Sequence, residues 1–517
     1  MSNHNLFAVL RTGFPEDLDR TAIETADGAG APLYYRWRDL DSGSAMIANL
    51  LQALDLPGGS RVAVQTDKSV EALMLYLAVL RAGYVYLPLN TAYQSAEIEY
   101  FLGNAEPAVV VCSSRNFGWV SKLAFKAGAR QVYTLDDDRS GTLLERAAHC
   151  SPDQAPVQRA PDDLACILYT SGTTGRSKGA MLTHGNMVSN ARTLFEHWGW
   201  RRPEQQGGDV LIHALPIFHV HGLFVASHGA LLAGAKMIWF NKFDPQAVIR
   251  RLPEATVFMG VPTLYVRMLA DKGLDRDAAR NMRLFLSGSA PLLIETFNEW
   301  RERTGHTIVE RYGMSETVML TSNPYHGDPS LRRGGTVGPA LPNVGVRVLD
   351  DAGRPLPAGE IGHIQVKGPN VFAGYWQMPD KTREEFTDDG WFKTGDVGRI
   401  DADGYVTIVG RSKDLIISGG YNVYPAEIEA LMNELPGIAE TAVVGVPHPD
   451  FGEAVVAVVV PRAGAAVDAD EVMAAVKGRI ANFKVPKRVF VEAELPRNTM
   501  GKVQKNLLRE RHKALFA

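Results

Sequence analysis

Apolar residues recur at helical spacing over 44–54 (SAMIANLLQAL) and again over 69–83 (SVEALMLYLAVLRAG), which predicts two helices. Gly83 closes the second as a C-terminal cap. Between them RVAVQT (61–66) alternates as a strand. PAVVVCS then reads as a strand and VSKLAFKAGA as a helix. Over 163–195 the pattern is strand, glycine-rich loop and helix. The middle third repeats the rhythm, with short apolar runs VLIHAL, AKMIWF, ATVFMG and MRLFLS separated by amphipathic stretches. Strands alternating with helices predict an α/β fold with parallel sheets covered by helices.

The texture changes near residue 335. GTVGPALPNVGVRVLDDAGRPLPAGEIGHIQVKG has short alternating runs bounded by Gly, Pro and Asp, the signature of antiparallel β structure. DADGYVTIVGR (401–411) reads as another hairpin. Beyond it PAEIEALMNEL reads as a helix, EAVVAVVVP as a strand and DADEVMAAVKGRIANF as a second helix. A boundary is expected at Arg411–Asp414, leaving a tail long enough for one small α+β domain. There is no internal repeat or low-complexity segment.

Composition narrows the function classes. Hydrophobic residues are 45% and charged residues 22% of the chain, which excludes bulk disorder. Basic residues number 54 and acidic residues 58, so a surface built to coat nucleic acid is not expected. Anions must be met in a specific site. Cys112, Cys150 and Cys166 form no zinc spacing and fit a reducing compartment. The N-terminus carries acids and no apolar core of the signal-peptide kind. The most apolar stretch, His221 to Phe240, is interrupted by His, Ser, Gly and Lys, so no membrane span and a cytoplasmic location are expected.

One string stands out. YTSGTTGRSKG (169–179) combines Ser171, Thr173, Thr174 and Ser177 with Gly172, Gly175, Gly179 and Lys178. Glycines let backbone N–H groups converge on an anion, hydroxyls add donors and lysine adds charge, so a polyphosphate is the natural ligand. The order Ser177–Lys178–Gly179 does not fit a Walker A loop. HALPIFHVHGLF (213–224) holds three histidines, but no carboxylate or cysteine at ligand spacing completes a metal site. Arg283 stands four residues before Ser287 on the strand of MRLFLSGSAPL. An uncompensated guanidinium does not suit an apolar pocket and does suit a carboxylate. The other reading of Arg283 is a surface charge at the strand end. Arg267, in TLYVRM, is a weaker candidate of the same kind.

The glycine-rich string resembles the phosphate loop of the adenylate-forming superfamily, which includes acyl- and aryl-CoA synthetases, luciferases and peptide-synthetase adenylation domains. Ser177 replaces the proline usual there. The resemblance continues in order through SGSAPL (287–292), ERYGMSE (310–316), TGDVG (394–398), YVTIVGRSKD (405–414), SGGYNVYPAEIE (418–429) and PRNTMGKVQKN (496–506). It implies a large multi-layer α/β body with parallel sheets and a β-barrel-like subdomain over 1–410, a hinge over 411–414 centred on Lys413, and a small mobile α+β lid over 415–517.

By the same resemblance ATP would be held by Thr170, Ser171, Gly172, Thr173, Thr174, Gly175 and Lys178, and by Gly288, Ser289 and Ala290 at the adenine edge. Glu310, Tyr312, Gly313, Met314 and Ser315 would line the nucleotide, with Tyr312 against adenine and Ser315 at the α-phosphate. Asp396 and Arg411 would hold the ribose, and Glu316 with Thr174 would hold Mg²⁺. Ser287, His219, His221 and Met314 would line the acyl pocket, His219 at its gate, with Arg283 on a distal carboxylate. Ser418, Gly419, Gly420 and Tyr421 would border the CoA tunnel. Lys502 would be the adenylation lysine, joined in catalysis by Lys178, Glu316 and His219.

The histidine-rich, MRLFLSGSAPL and ERYGMSETVMLTSNP segments together resemble malonate-activating members. That implies malonyl-CoA formation from malonate, ATP and CoA through malonyl-AMP, with methylmalonate as a side substrate. Other short-chain or aryl acids, a carrier-protein thiol as acceptor, and a catalytically silent nucleotide-binding protein are the alternatives; the oligomeric state stays open.

Overall fold

The computed structural model describes residues 3–27, 30–170, 177–419, 421–477, 479–498 and 501–516. The helix Val70–Arg81 is buried along its whole length, and the Ser69 hydroxyl caps it by accepting the Ala72 N–H at 3.0 Å. A helix apolar all round belongs in an interior. This one packs into a core shared by strands of two large sheets.

The first of those sheets has six strands. Its parallel strands are Arg61–Gln65, Val85–Pro88, Val109–Cys112, Gln131–Thr134 and Leu164–Thr170, and Lys178–Thr183 runs antiparallel at one edge. The second has eight strands. Val210–His213, Lys236–Trp239, Val257–Gly260, Leu284–Ser287 and Ile308–Tyr312 form its parallel centre. These are the apolar runs of the sequence, buried on both faces as parallel strands require. The antiparallel layer expected beyond residue 335 is a four-stranded sheet of Gly345–Leu349, Gly362–Lys367, Phe392–Ile400 and Val406–Arg411.

The C-terminal portion carries its own five-stranded sheet. Its central pair, Ile438–His448 and Gly452–Pro461, is antiparallel over the full length of both strands. Val455, Ala457 and Val459 pack into one apolar cluster, and Ala454, Val456 and Val458 into another. Period-two alternation with both faces covered explains why EAVVAVVVP is apolar without interruption. The strand Ile438–His448 and the helix Lys505–His512 are absent from the pattern read in the sequence.

The apolar stretch from His221 resolves into a π-turn, His221–Ala226, an α-helix, Ser227–Ala233, and the strand Lys236–Trp239. Among the described residues no helix is long and apolar enough to cross a membrane.

Candidate active site

In open α/β sheets ligands bind beyond the carboxyl ends of the strands. Two of the parallel strands end together here, with Ser287 in register with Glu310. The chain then continues to Gly288 on one strand while Arg311 follows on the other. A Cβ at Gly288 would stand 2.5 Å from Cζ and Nη1 of Arg311, so only glycine lets the guanidinium lie against this backbone. Ser289 follows with φ +72°, an unusual backbone for a non-glycine residue. Its hydroxyl is 3.4 Å from Nδ1 of His221.

Arg311 is buried, and its Nε and Nη2 have no protein partner. The buried Oγ of Ser287 and Nε2 of His221 are equally unpartnered. Buried polar atoms are nearly always satisfied, so the free donors of Arg311 beside the unpartnered His221 nitrogen mark a place built for a polar guest. Burial pushes the Arg311 guanidinium down to about 9. His219 is held down at about 3, first by burial and then by Lys502 and Arg311, so its imidazole is neutral. His221 is also lowered, first by burial and then by Arg311, His219 and His213.

Arg283 was expected on a distal carboxylate, and the structure corrects this. It stands at the amino end of its strand, away from the crevice. Its Nε and Nη2 donate to the two carboxylate oxygens of Asp209 at 2.7 and 2.5 Å, and Nη1 donates to the Trp198 carbonyl at 3.0 Å. The Asp209 side chain is 0% exposed. The guanidinium is a closed internal pair. Arg267 is exposed on the helix Pro262–Leu269. The residue that sequence reading missed is Arg311, which lies inside the quoted ERYGMSE. Its signal was a charge pair, Glu310 and Arg311, set in an otherwise apolar strand.

Glu310 faces elsewhere. Its carboxylate accepts the Gly335 N–H at 3.0 Å, and its carbonyl accepts the Asn323 N–H at 2.9 Å. Burial raises it to about 8. The side chain holds a loop and is not free for a nucleotide.

A second cluster adjoins the first. Tyr312 donates its hydroxyl to Asp396 Oδ2, and Arg411 Nε reaches Asp396 Oδ1 at 2.7 Å. Asp396 and Arg411 are cross-strand partners, so the sheet fixes this pair. Glu316 is buried, and its Oε1 accepts the Tyr375 hydroxyl at 3.0 Å. Burial raises its carboxyl, against the pull of Tyr375, Arg411 and Lys178. The Lys178 ammonium lies 4.3 Å over the Tyr375 ring and 3.6 Å from Glu385. Thr170 Oγ1 donates to the Lys178 carbonyl at 3.4 Å, at the root of the glycine-rich loop. The expected phosphate-loop residues Ser171, Gly172, Thr173, Thr174 and Gly175 lie outside the described residues, as does Gly420.

The C-terminal portion reaches this cleft. Gly501 comes within 3.6 Å of Thr263 Oγ1, measured from a Cβ built on it. The Lys502 ammonium next to it is lowered, first by loss of its water and then by Arg411, and drawn up by Asp396 and Glu316. The hairpin Ser418–Tyr421 does not join this cluster. Tyr421 stacks on Phe483 with ring centres 4.7 Å apart, and the Gly419 N–H bonds the Phe451 carbonyl at 2.9 Å.

No group of three or more His, Cys, Asp or Glu side chains among the described residues is arranged around a cation. One buried carboxylate, Glu316, still suits Mg²⁺, which takes one or two protein carboxylates together with phosphate oxygens and waters.

Residues 16–376 match the AMP-binding enzyme family, and residues 427–502 match the AMP-binding enzyme C-terminal domain. The chain belongs to this family of adenylate-forming enzymes and is an acid–CoA ligase of the AMP-forming class, with ATP and CoA as co-substrates. Among its relatives, malonate–CoA ligase of Arabidopsis thaliana is 34% identical, over 98% of this chain and 89% of that one. Feruloyl-CoA synthase of an Amycolatopsis species is 35% identical, over 93% of this chain and 94% of that one. The crystal structure of ATP-bound MatB from Rhodopseudomonas palustris matches all of both chains at 53% identity with a TM-score of 0.95, and the apo form of that protein at 0.84.

Proposed function

We propose that this ligase activates malonate, forming malonyl-CoA through malonyl-AMP with release of pyrophosphate and AMP, and takes methylmalonate as a side substrate. The observation that carries the reading is the buried Arg311, whose unpartnered donors lie against Gly288 and beside His221. A monocarboxylic acid would leave that charge buried and unpaired, at a cost of several kcal/mol. A dicarboxylate pairs one carboxylate with Arg311 and presents the other for reaction. Relatives that act on malonate support this choice.

In the first step an oxygen of the free carboxylate attacks the α-phosphorus of ATP and pyrophosphate leaves. Two anions meet, so charge neutralisation is the main task. Lys178 and the glycine-rich loop donate to the phosphates. Lys502 donates to the oxygens that gain charge at the α-phosphorus. Tyr312 lies along adenine, and Asp396 with Arg411 holds the ribose. Glu316 would hold Mg²⁺, which when bound neutralises phosphate charge. His219, neutral, and Met314 border the acyl chain. In the second step the CoA thiolate attacks the acyl carbonyl and AMP leaves with the bonding pair. The lid, residues 415–517 turning about Lys413, exchanges Lys502 for the Ser418–Tyr421 hairpin between the steps. The test is pyrophosphate release with a panel of mono- and dicarboxylic acids, with and without CoA. Malonate is expected to lead; a panel led by an aromatic or long-chain acid overturns the reading.

A further inference from the structure

Lys68 lies outside the catalytic set, in the loop between the strand Arg61–Gln65 and the helix Val70–Arg81. Its ammonium crosses from the six-stranded sheet to the eight-stranded one. It donates to the His213 carbonyl at 2.9 Å and the Phe240 carbonyl at 2.7 Å, and stands 3.0 Å from Nδ1 of the His213 ring. It also lies 4.3 Å over the Trp239 ring, which stacks on His213. All three hydrogen-bond partners are neutral acceptors, one for each ammonium N–H.

The other side of the His213 ring faces the acyl-pocket segment. Nε2 is 3.0 Å from the Gly222 carbonyl and 3.1 Å from Ser227 Oγ. The Ser227 hydroxyl donates to the same carbonyl at 2.9 Å. That carbonyl only accepts, so Nε2 carries the proton. Nδ1 must then accept, and Lys68 supplies the donor. Lys68 thus selects one tautomer of His213, and that tautomer grips the π-turn one residue after His221. The turn is tight at this point, since a Cβ on Gly222 would stand 2.1 Å from the Pro216 carbonyl oxygen.

We propose that Lys68 is a positioning residue, which acts through His213 to set the π-turn and so to aim His219 and His221 into the acyl pocket. The proposal rests on the acyl-pocket reading above. A side chain misplaced by about 1 Å costs up to about a hundredfold in such sites. Lys68→Met keeps the stem and removes the donors. Steady-state kinetics are measured with the acid that the wild type turns over best. The acid KM is expected to rise by about tenfold or more while the ATP KM stays within about twofold. A KM does not depend on the folded fraction, so partial misfolding cannot imitate this split. His213→Gln is expected to show the same split, and it carries the test if Lys68→Met does not fold. The double variant is expected to be no worse than the worse single, because the two residues act in series. Equal rises in both KM values, or penalties that add in the double variant, overturn the proposal. Arg311→Met separates the two readings. If it raises the acid KM while Lys68→Met and His213→Gln do not, the strut alone falls; if it leaves the acid KM unchanged, the pocket reading falls.

Discussion

Arg283 and Arg311 stand on neighbouring parallel strands, one at the start and one near the end. Spacing along the sequence drew attention to Arg283 alone. What separates them is a partner 74 residues away, Asp209, which a linear reading does not bring to Arg283. Arg283→Met is expected to lower stability by about 3–5 kcal/mol, because it strands a buried carboxylate, and to leave the ranking of acids unchanged. Denaturant unfolding and the acid panel check this together; a shifted ranking with intact stability would return Arg283 to the pocket. Glu310 gives a pH signature. Its ordinary value of 4.5 is raised to about 8, so its contribution is full below pH 4.5 and is lost as pH rises through 8. Glu310→Gln removes that loss. The variant's melting temperature is expected to gain on the wild type from pH 5 to 8, and parallel curves would contradict the assignment. Asp396, Glu316 and Lys502, expected from short motifs, lie near one another. Arg311 sat in the same motif and was passed over because its importance comes from burial, which no local pattern displays.

At the scale of elements the alternation of apolar runs and helices was readable because parallel strands are buried on both faces. The π-turn His221–Ala226 was not, since the groups that meet its carbonyls, such as the His213 ring at Gly222, come from outside the segment. The strand Ile438–His448 was missed because GIAETAVVGVPH mixes charge, glycine and proline into an apolar run. Gly288 joins strand end to pocket, and its neighbour across the sheet is the tip of a flexible arginine. Gly288→Ala is therefore expected to fold normally, displace Arg311 and raise the malonate KM by about tenfold or more. An unchanged KM would show that Arg311 does not sit on this backbone in solution.

For the whole molecule, the near-neutral charge fits a protein that meets its anions in a cleft rather than across its surface. Lys502, on the C-terminal portion, shares that cleft with Asp396, Glu316 and Arg411. Lys502→Ala is expected to slow pyrophosphate release by about a hundredfold or more, and to convert supplied acyl-AMP to thioester at nearly the wild-type rate. Intact pyrophosphate release would remove Lys502 from adenylation. The central claim, that Arg311 selects a dicarboxylate, is tested most directly by kcat/KM for malonate and for propionate in the wild type and in Arg311→Ala. The malonate value is expected to fall by about tenfold or more while propionate holds or rises, because a charged hydrogen bond is lost only with malonate. An equal fall for both acids would contradict the account.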